Sequence, residues 1–176
     1  MPDLSAIREE VVEMSDCEIT EAINNIGDEV QREAANKIVQ CFSDAGLPVK
    51  VKRFSRSKPN DRFRILCYVQ KNKESVVINT DMWGFKGTAF QMRLFNNDSF
   101  QKLDELSENI RGQILNGRDC GFCWSKCDGR QYSFSYGGTE YIKCQNFGCN
   151  FRFRITDEND AASLIALTQR EIALAK

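Results

Sequence analysis

Five of the eight cysteines in this 176-residue chain fall between positions 120 and 149, in Cys120-Gly121-Phe122-Cys123-Trp124-Ser125-Lys126-Cys127 and Cys144-Gln145-Asn146-Phe147-Gly148-Cys149. Such density is hard to attribute to core packing. A C-x-x-C turn aims two thiolates at one ion, and tetrahedral zinc takes two more from elsewhere in the chain. The sequence contains no histidine, which removes Ser-His-Asp and Cys-His catalytic units, His-containing zinc fingers and His-ligated catalytic zinc. A structural four-cysteine zinc site is the chemistry expected, ahead of free thiols that happen to cluster, disulfides and an iron-sulfur cluster. The competing reading is dithiol redox chemistry at Cys120 and Cys123, which requires an attacking thiol at a helix N-terminus, where the dipole lowers its pKa. Cys120 instead follows a predicted helix C-terminus. Cys17, Cys41 and Cys67 stand among apolar positions and read as buried small hydrophobes.

Two predicted strands, Gln131 to Tyr136 and Thr139 to Cys144, flank Gly137-Gly138, a pair suited to a primed two-residue turn because both glycines tolerate positive φ. That turn sets Tyr136 against Thr139, Phe134 against Tyr141 and Gln131 against Cys144. Cys144 then lies at the open end of the hairpin, just beyond Cys127. Cys149, which an extended register would set opposite Lys126, is the competing fourth ligand. However, it shares the parity of Phe151, Phe153 and Ile155, which turns it toward an apolar face. The expected ligands are therefore Cys120, Cys123, Cys127 and Cys144.

The remaining chemistry-bearing features concern binding. Residues 1–49 carry a net charge of −8 and residues 50–73 one of +8, although the whole chain is −1. The basic stretch supplies Lys50, Lys52, Arg53, Arg56, Lys58, Arg62 and Arg64 as candidate contacts to a polyanion; alternatively, it neutralises the acidic helices within the same molecule. Nine of the eighteen aromatics lie between Phe122 and Phe153, interleaved with Arg130, Lys143, Arg152 and Arg154. They fit either base stacking or, as Tyr132, Phe134 and Tyr136 share one strand face, packing beneath a helix. Asp81-Met82-Trp83-Gly84-Phe85-Lys86-Gly87 is a glycine-bearing loop with Trp83 as a candidate ligand contact. No phosphate-binding glycine loop, nucleophile elbow or paired-carboxylate pattern occurs, so nothing marks an enzyme.

These residues are positioned by an alternation of helical and strand signals. Ser15-Asp16-Cys17-Glu18 is a capping box opening a helix with Ile19, Ile23 and Ile26 on one face. After a break at Asn25 to Asp28 a second helix carries Ala34, Ile38 and Phe42, and Gly46 and Pro48 end it. From Val49 to Phe95 the apolar period is two, predicting four strands of an antiparallel meander with helices on one covered face. Asn97-Asp98-Ser99 caps a predicted helix with Phe100, Leu103, Leu106, Ile110 and Ile114 on one stripe; the cysteine segment, the hairpin, a strand around Phe151 and a C-terminal helix after Thr156-Asp157 complete the chain.

The fold expected is α+β: one domain over 1–176, an antiparallel sheet of about six strands covered by helices, with residues 118–150 as a cysteine-rich zinc module. With 41% hydrophobic and 28% charged residues, the chain can bury a core. No apolar run is long enough to span a membrane, and the first ten residues lack the basic-then-apolar pattern of a signal peptide, so the expected setting is cytoplasmic. Cys123 with Cys127-Asp128-Gly129-Arg130, the aromatic strand after it, and Tyr141-Ile142-Lys143-Cys144 before a last strand and helix resemble the pattern of small uncharacterised bacterial α+β proteins of the Firmicute type. The resemblance implies a fold and a bacterial cytoplasmic setting, and no reaction. The function expected is a non-enzymatic binding or regulatory protein built around structural zinc, with a nucleic-acid or protein partner; the alternatives are a nucleic-acid binder using 50–73 and the aromatic hairpin, and a thiol redox enzyme.

Overall fold

The computed structural model describes residues 16–54, 62–70, 73–80, 87–95, 97–120, 129–145 and 151–175. The helical periodicity of the N-terminal region resolves into α1 (Asp16–Asn24) and α2 (Glu29–Asp44). Asp28 separates them by capping α2, its carboxylate accepting from the Gln31 amide at 2.9 Å. At the other end Gly46 adopts φ +68°, its amide donating to Ser43 O and that of Leu47 to Phe42 O. This is the paired closure that a glycine after the C-cap permits.

The period-two region forms β1 (Val49–Phe54), β2 (Arg62–Gln70), β3 (Lys73–Asn79) and β4 (Ala89–Met92), a continuous antiparallel meander. β7 (Phe151–Phe153) joins it beside β4, giving the order β1-β2-β3-β4-β7. Register fixes the faces. Val51, Ile65, Ile78, Phe90 and Phe153 form one row across the five strands, and all belong to the core packed beneath α1, α2 and α4 (Glu158–Leu174). The next row, Lys50, Leu66, Val77, Gln91 and Arg152, points the other way. Leu66 and Val77 are buried yet stand outside that core.

Two sequence expectations are revised. The strands do not make one sheet of about six; β5 (Gln131–Tyr136) and β6 (Thr139–Cys144) pair only with each other among the named strands, as a separate two-stranded sheet. The single helix expected after Asn97 is broken into 3-10 turns at Asn97–Phe100 and Leu103–Glu105 and a short α3 (Glu108–Leu115). Lys102 at φ +64° ends the first turn, and Ser107 restarts the chain as N-cap of α3, its Oγ accepting from the Ile110 amide at 3.2 Å. The apolar stripe survives the breaks, since Phe100, Leu103, Leu106, Ile110 and Ile114 are all buried.

α3 also closes one sheet edge. Gln113 pairs its side-chain amide with the backbone just beyond β7, accepting from Arg154 N at 2.8 Å and donating to Arg154 O at 3.1 Å. A side chain thus takes the place of a sixth strand and protects an edge otherwise open to pairing. No helix among the described residues is long and apolar enough to cross a membrane.

Candidate metal centre and the basic sheet face

The Gly137-Gly138 turn has both glycines at positive φ, +57° and +79°. The resulting register pairs Tyr136 with Thr139, Phe134 with Tyr141 and Gln131 with Cys144, as the turn chemistry requires. A second partner for β6 was not legible in the sequence. After α3 the chain runs antiparallel along the free side of β6, with Asp119 opposite Lys143, the Cys120 amide donating to Ile142 O at 3.0 Å and the Cys144 amide to Arg118 O at 2.9 Å. β6 is therefore held from both sides.

This bridge brings two expected ligands together. Cys120 lies opposite Ile142, two residues from Cys144 along β6, so the two cysteines occupy the same face of adjacent strands. That face is the one opposite Tyr132, Phe134 and Lys143. Cys144 is buried, Cys120 is half-buried, and neither is in a disulfide among the described residues. Cys123, Cys127 and Cys149 lie outside the described residues, and among the described ones no group of three metal-ligating side chains gathers. Thiols are donors of the kind that zinc takes, and of the expected set Cys120 and Cys144 are the two that the described residues place.

Lys143 and Asp119 secure the register from the other face. Their ion pair spans 2.6 Å, with the Lys143 side chain 6% exposed and that of Asp119 64%; the ammonium also sits 5.3 Å from the centre of the Tyr141 ring. Cys120 stands in a turn directly after the bridge residue Asp119. Of the other cysteines, Cys67 is fully buried, and burial pushes its thiol pKa far up. Cys41 packs at the margin of the core.

The aromatic hairpin belongs to the core. Phe134 stacks on Phe100 with centroids 4.1 Å apart and planes 4° from parallel, and Tyr132 stacks on Phe151 at 5.6 Å. The Tyr132 hydroxyl donates to Leu94 O at 2.5 Å, and burial raises its pKa. Tyr136 is half-buried, donating to Asp104 at 2.7 Å. The buried rings of Tyr132 and Phe134, packed against Phe100 of the 3-10 turn, are not open to base stacking; Phe122, Trp124 and Phe147 lie outside the described residues.

The basic stretch is sorted by parity. Lys50, Lys52 and Arg64 project from the sheet face away from the helices, with Arg152 on the same face at the far side. Arg53 is on the helix side, its guanidinium 5.5 Å from the Phe63 ring centre. Arg62 pairs with Phe54 in the ladder; Arg56, Lys58 and Trp83 lie outside the described residues. At the centre of the face a polar chain crosses three strands, Arg64 Nε donating to Asn79 at 2.9 Å and Asn79 Nδ2 to Gln91 at 3.3 Å.

Two buried carboxylates escaped the sequence reading. Glu171, 1% exposed, accepts from Phe95 N at 2.8 Å and from Ser99 Oγ at 2.6 Å. Burial lifts its pKa above the ordinary value, against the pull of those two donors. Asp160 accepts from Ser107 Oγ and Asn109 Nδ2, each at 2.6 Å, and from Thr156 N and Oγ1 at 2.9 and 2.7 Å. Burial works to raise its pKa as well, but the donors from Ser107, Thr156 and Asn109 outweigh it and the net shift is downward. The spacing of Asp157 and Asp160 was a capping signal. A charge at Glu171 in phase with Leu164, Leu167 and Thr168 was the only trace of the other. Both serine–carboxylate pairs are buried or half-buried tethers, with the carboxylate oxygens already bonded. Comparison with protein-family models, with curated proteins and with solved structures finds no match for this chain.

Proposed function

We propose that the chain is a non-enzymatic binding protein whose hairpin module is held by a structural zinc ion, with Cys120, Cys123, Cys127 and Cys144 as ligands and Cys149 as the competing fourth. The observation that carries the reading is the antiparallel bridge at Asp119 and Lys143, which sets Cys120 and Cys144 on one face of neighbouring strands from positions more than twenty residues apart in sequence. A metal tying the segment after α3 to the end of β6 would close the side of the hairpin opposite the one that Tyr132 and Phe134 pack into the core. Four thiolates fill the tetrahedron and leave no position for water. The zinc itself is then structural rather than catalytic.

Metal analysis of protein purified without added zinc tests the reading. One zinc per chain is expected, lost in Cys120→Ser and Cys144→Ser, with chelation selectively relaxing amide protection in β5 and β6, because metal binding and local folding share one free energy. Metal-free protein with an intact hairpin overturns it. If Cys149→Ser loses zinc while Cys127→Ser retains it, the ligand set is the competing one.

A further inference from the structure

We infer that Asn116 is a site of spontaneous covalent modification, at which the chain deamidates through its bond to Gly117 and loosens the joint between α3 and the segment that bears Cys120. The reaction uses none of the proposed metal ligands, and the inference holds whether or not the chain takes zinc. Asn116-Gly117 is the one Asn-Gly pair in the sequence. Asn116 is exposed as the C-cap of α3, and among the described residues its carboxamide makes no hydrogen bond. Other asparagines differ. Asn79 is bonded to Arg64 and Gln91, Asn97 accepts from the Ser133 amide, and Asn109 reaches Asp160, Arg154 and Gln113. Asn24, Asn25 and Asn159 are exposed, yet each is followed by a residue whose side chain shields the amide nitrogen.

The chemistry needs no partner except water. The Gly117 amide nitrogen, having given its proton to solvent, attacks Cγ of Asn116; Nδ2 takes up a proton and leaves as ammonia, and a succinimide ring closes. Water then opens either carbonyl of the ring, giving aspartate or, with the main chain rerouted through Cβ and Cγ, isoaspartate. Glycine hinders this attack least, having no Cβ, and the fold demands it here: a Cβ at position 117 would stand 2.6 Å from Cε1 of Phe151. The tight packing of the joint and its chemical lability thus share one cause. Asn116, at φ −88° and ψ 4°, directs the Gly117 amide onto Ile114 O at 3.0 Å, so the attacking nitrogen is occupied while the helix end is closed. Attack waits for the last turn of α3 to fray, as the ends of short helices do. Either product damages the joint. A carboxylate at the C-cap opposes the helix dipole, and the last turn of α3 has no basic residue to offset it. Isoaspartate adds a methylene to the backbone just before Arg118. That disturbs the bonds holding this segment to β6, from Cys144 N to Arg118 O at 2.9 Å and from Cys120 N to Ile142 O at 3.0 Å.

Incubation of the intact chain in mildly alkaline buffer, folded and in urea, followed by mass spectrometry of the tryptic fragment 112–118, tests the inference. Aspartate and isoaspartate should accumulate at Asn116 ahead of the other asparagines of the folded chain. The reaction should be slower than in urea by the factor that hydrogen exchange gives for opening of the Gly117 amide. Asn116→Gln should be immune, since the larger ring that glutamine requires closes far more slowly. The converted chain, separated by its added negative charge, should unfold at a lower urea concentration than the parent and lose amide protection at Cys120 and Cys144. An Asn116 that stays intact in the folded chain, or is converted no faster than another asparagine, overturns the inference. So does equal conversion in the folded chain and in urea, which would leave no gate at the α3 cap, or a converted chain with the parent's stability and protection. Zinc content measured before incubation keeps this outcome distinct from that of the metal reading.

Discussion

Glu171 and Asp160 are both buried carboxylates on α4, and their opposite pKa displacements give them opposite consequences. Glu171 has its folded pKa raised, so the stability linked to its proton is fully present below its unfolded pKa and is lost as pH rises through the folded value. Asp160 has its folded pKa lowered; its contribution is present above the unfolded value and disappears as pH falls through the folded one. Removing the Glu171 carboxylate leaves the Phe95 amide and the Ser99 hydroxyl without their acceptor. Glu171→Ala should therefore cost about 2–4 kcal/mol in urea unfolding at pH 7. Glu171→Gln keeps an acceptor and the volume, and should abolish the decline in stability expected as pH rises above about 4.5. An unchanged pH profile in the glutamine variant would show that this group does not titrate with folding. Asp160→Asn should act at the acid end instead, reducing the loss of stability below about pH 4 while weakening the tether to Ser107, Thr156 and Asn109.

At the scale of elements, the joint between α3 and β7 is packed without slack. A Cβ built on Gly117 would stand 2.6 Å from Cε1 of Phe151 and 3.0 Å from Ile114 O. Phe151 cannot swing aside cheaply, as its ring is bounded by Tyr132 at 5.6 Å, Phe100 at 5.8 Å and Phe153 at 6.2 Å. Gly117→Ala should thus lower stability by about 1–3 kcal/mol, the usual range for overpacking. Phe151→Leu should rescue part of it, so that a double-mutant cycle in urea gives a coupling of about 1 kcal/mol or more. Strictly additive effects would mean that the ring yields. The same turn leads from α3 into the strand that bears Cys120, so the packing of Gly117 on Phe151 sets the direction from which one proposed zinc ligand approaches β6.

At the scale of the whole molecule, the described parts of α1 and α2, rich in acids, pack on the sheet face opposite the one from which Lys50, Lys52, Arg64 and Arg152 project. Exchanging Lys52 for Glu converts the like-charge pair with Arg64 into an opposite-charge pair. The variant should gain about 0.2–1 kcal/mol of stability. Raising salt should narrow the stability difference between the two proteins, since screening weakens repulsion in the parent and attraction in the variant. Urea midpoints at two ionic strengths check both. A Lys52→Glu protein less stable than the parent at low salt would indicate that a partner of Lys52 outweighs the repulsion from Arg64.

Much of this architecture was written locally. Asp28 as a cap, Gly46 as a stop, the two-residue period of the meander and the register of the Gly137-Gly138 hairpin each depend on residues a few positions apart, and short-range sterics and hydrogen bonding decide them. The interruption of the helix expected after Asn97 depended on more. The apolar stripe was compatible with one continuous helix, while Ser107 is drawn out to bond Asp160 and, through its amide, Ser163, both more than fifty residues away. The sequence showed five cysteines and which chemistry they suit, but not that the chain after α3 would pair with the free side of β6; strand order is chosen by long-range burial, which leaves no periodic mark. Parity likewise assigned Lys50, Lys52 and Arg64 to a common face. Alternation also predicted that helices would cover the apolar face; only the tertiary structure decided which helices pack on Val51, Ile65 and Ile78, because the partner of an apolar face is chosen from all the apolar surface available to bury and leaves no local mark.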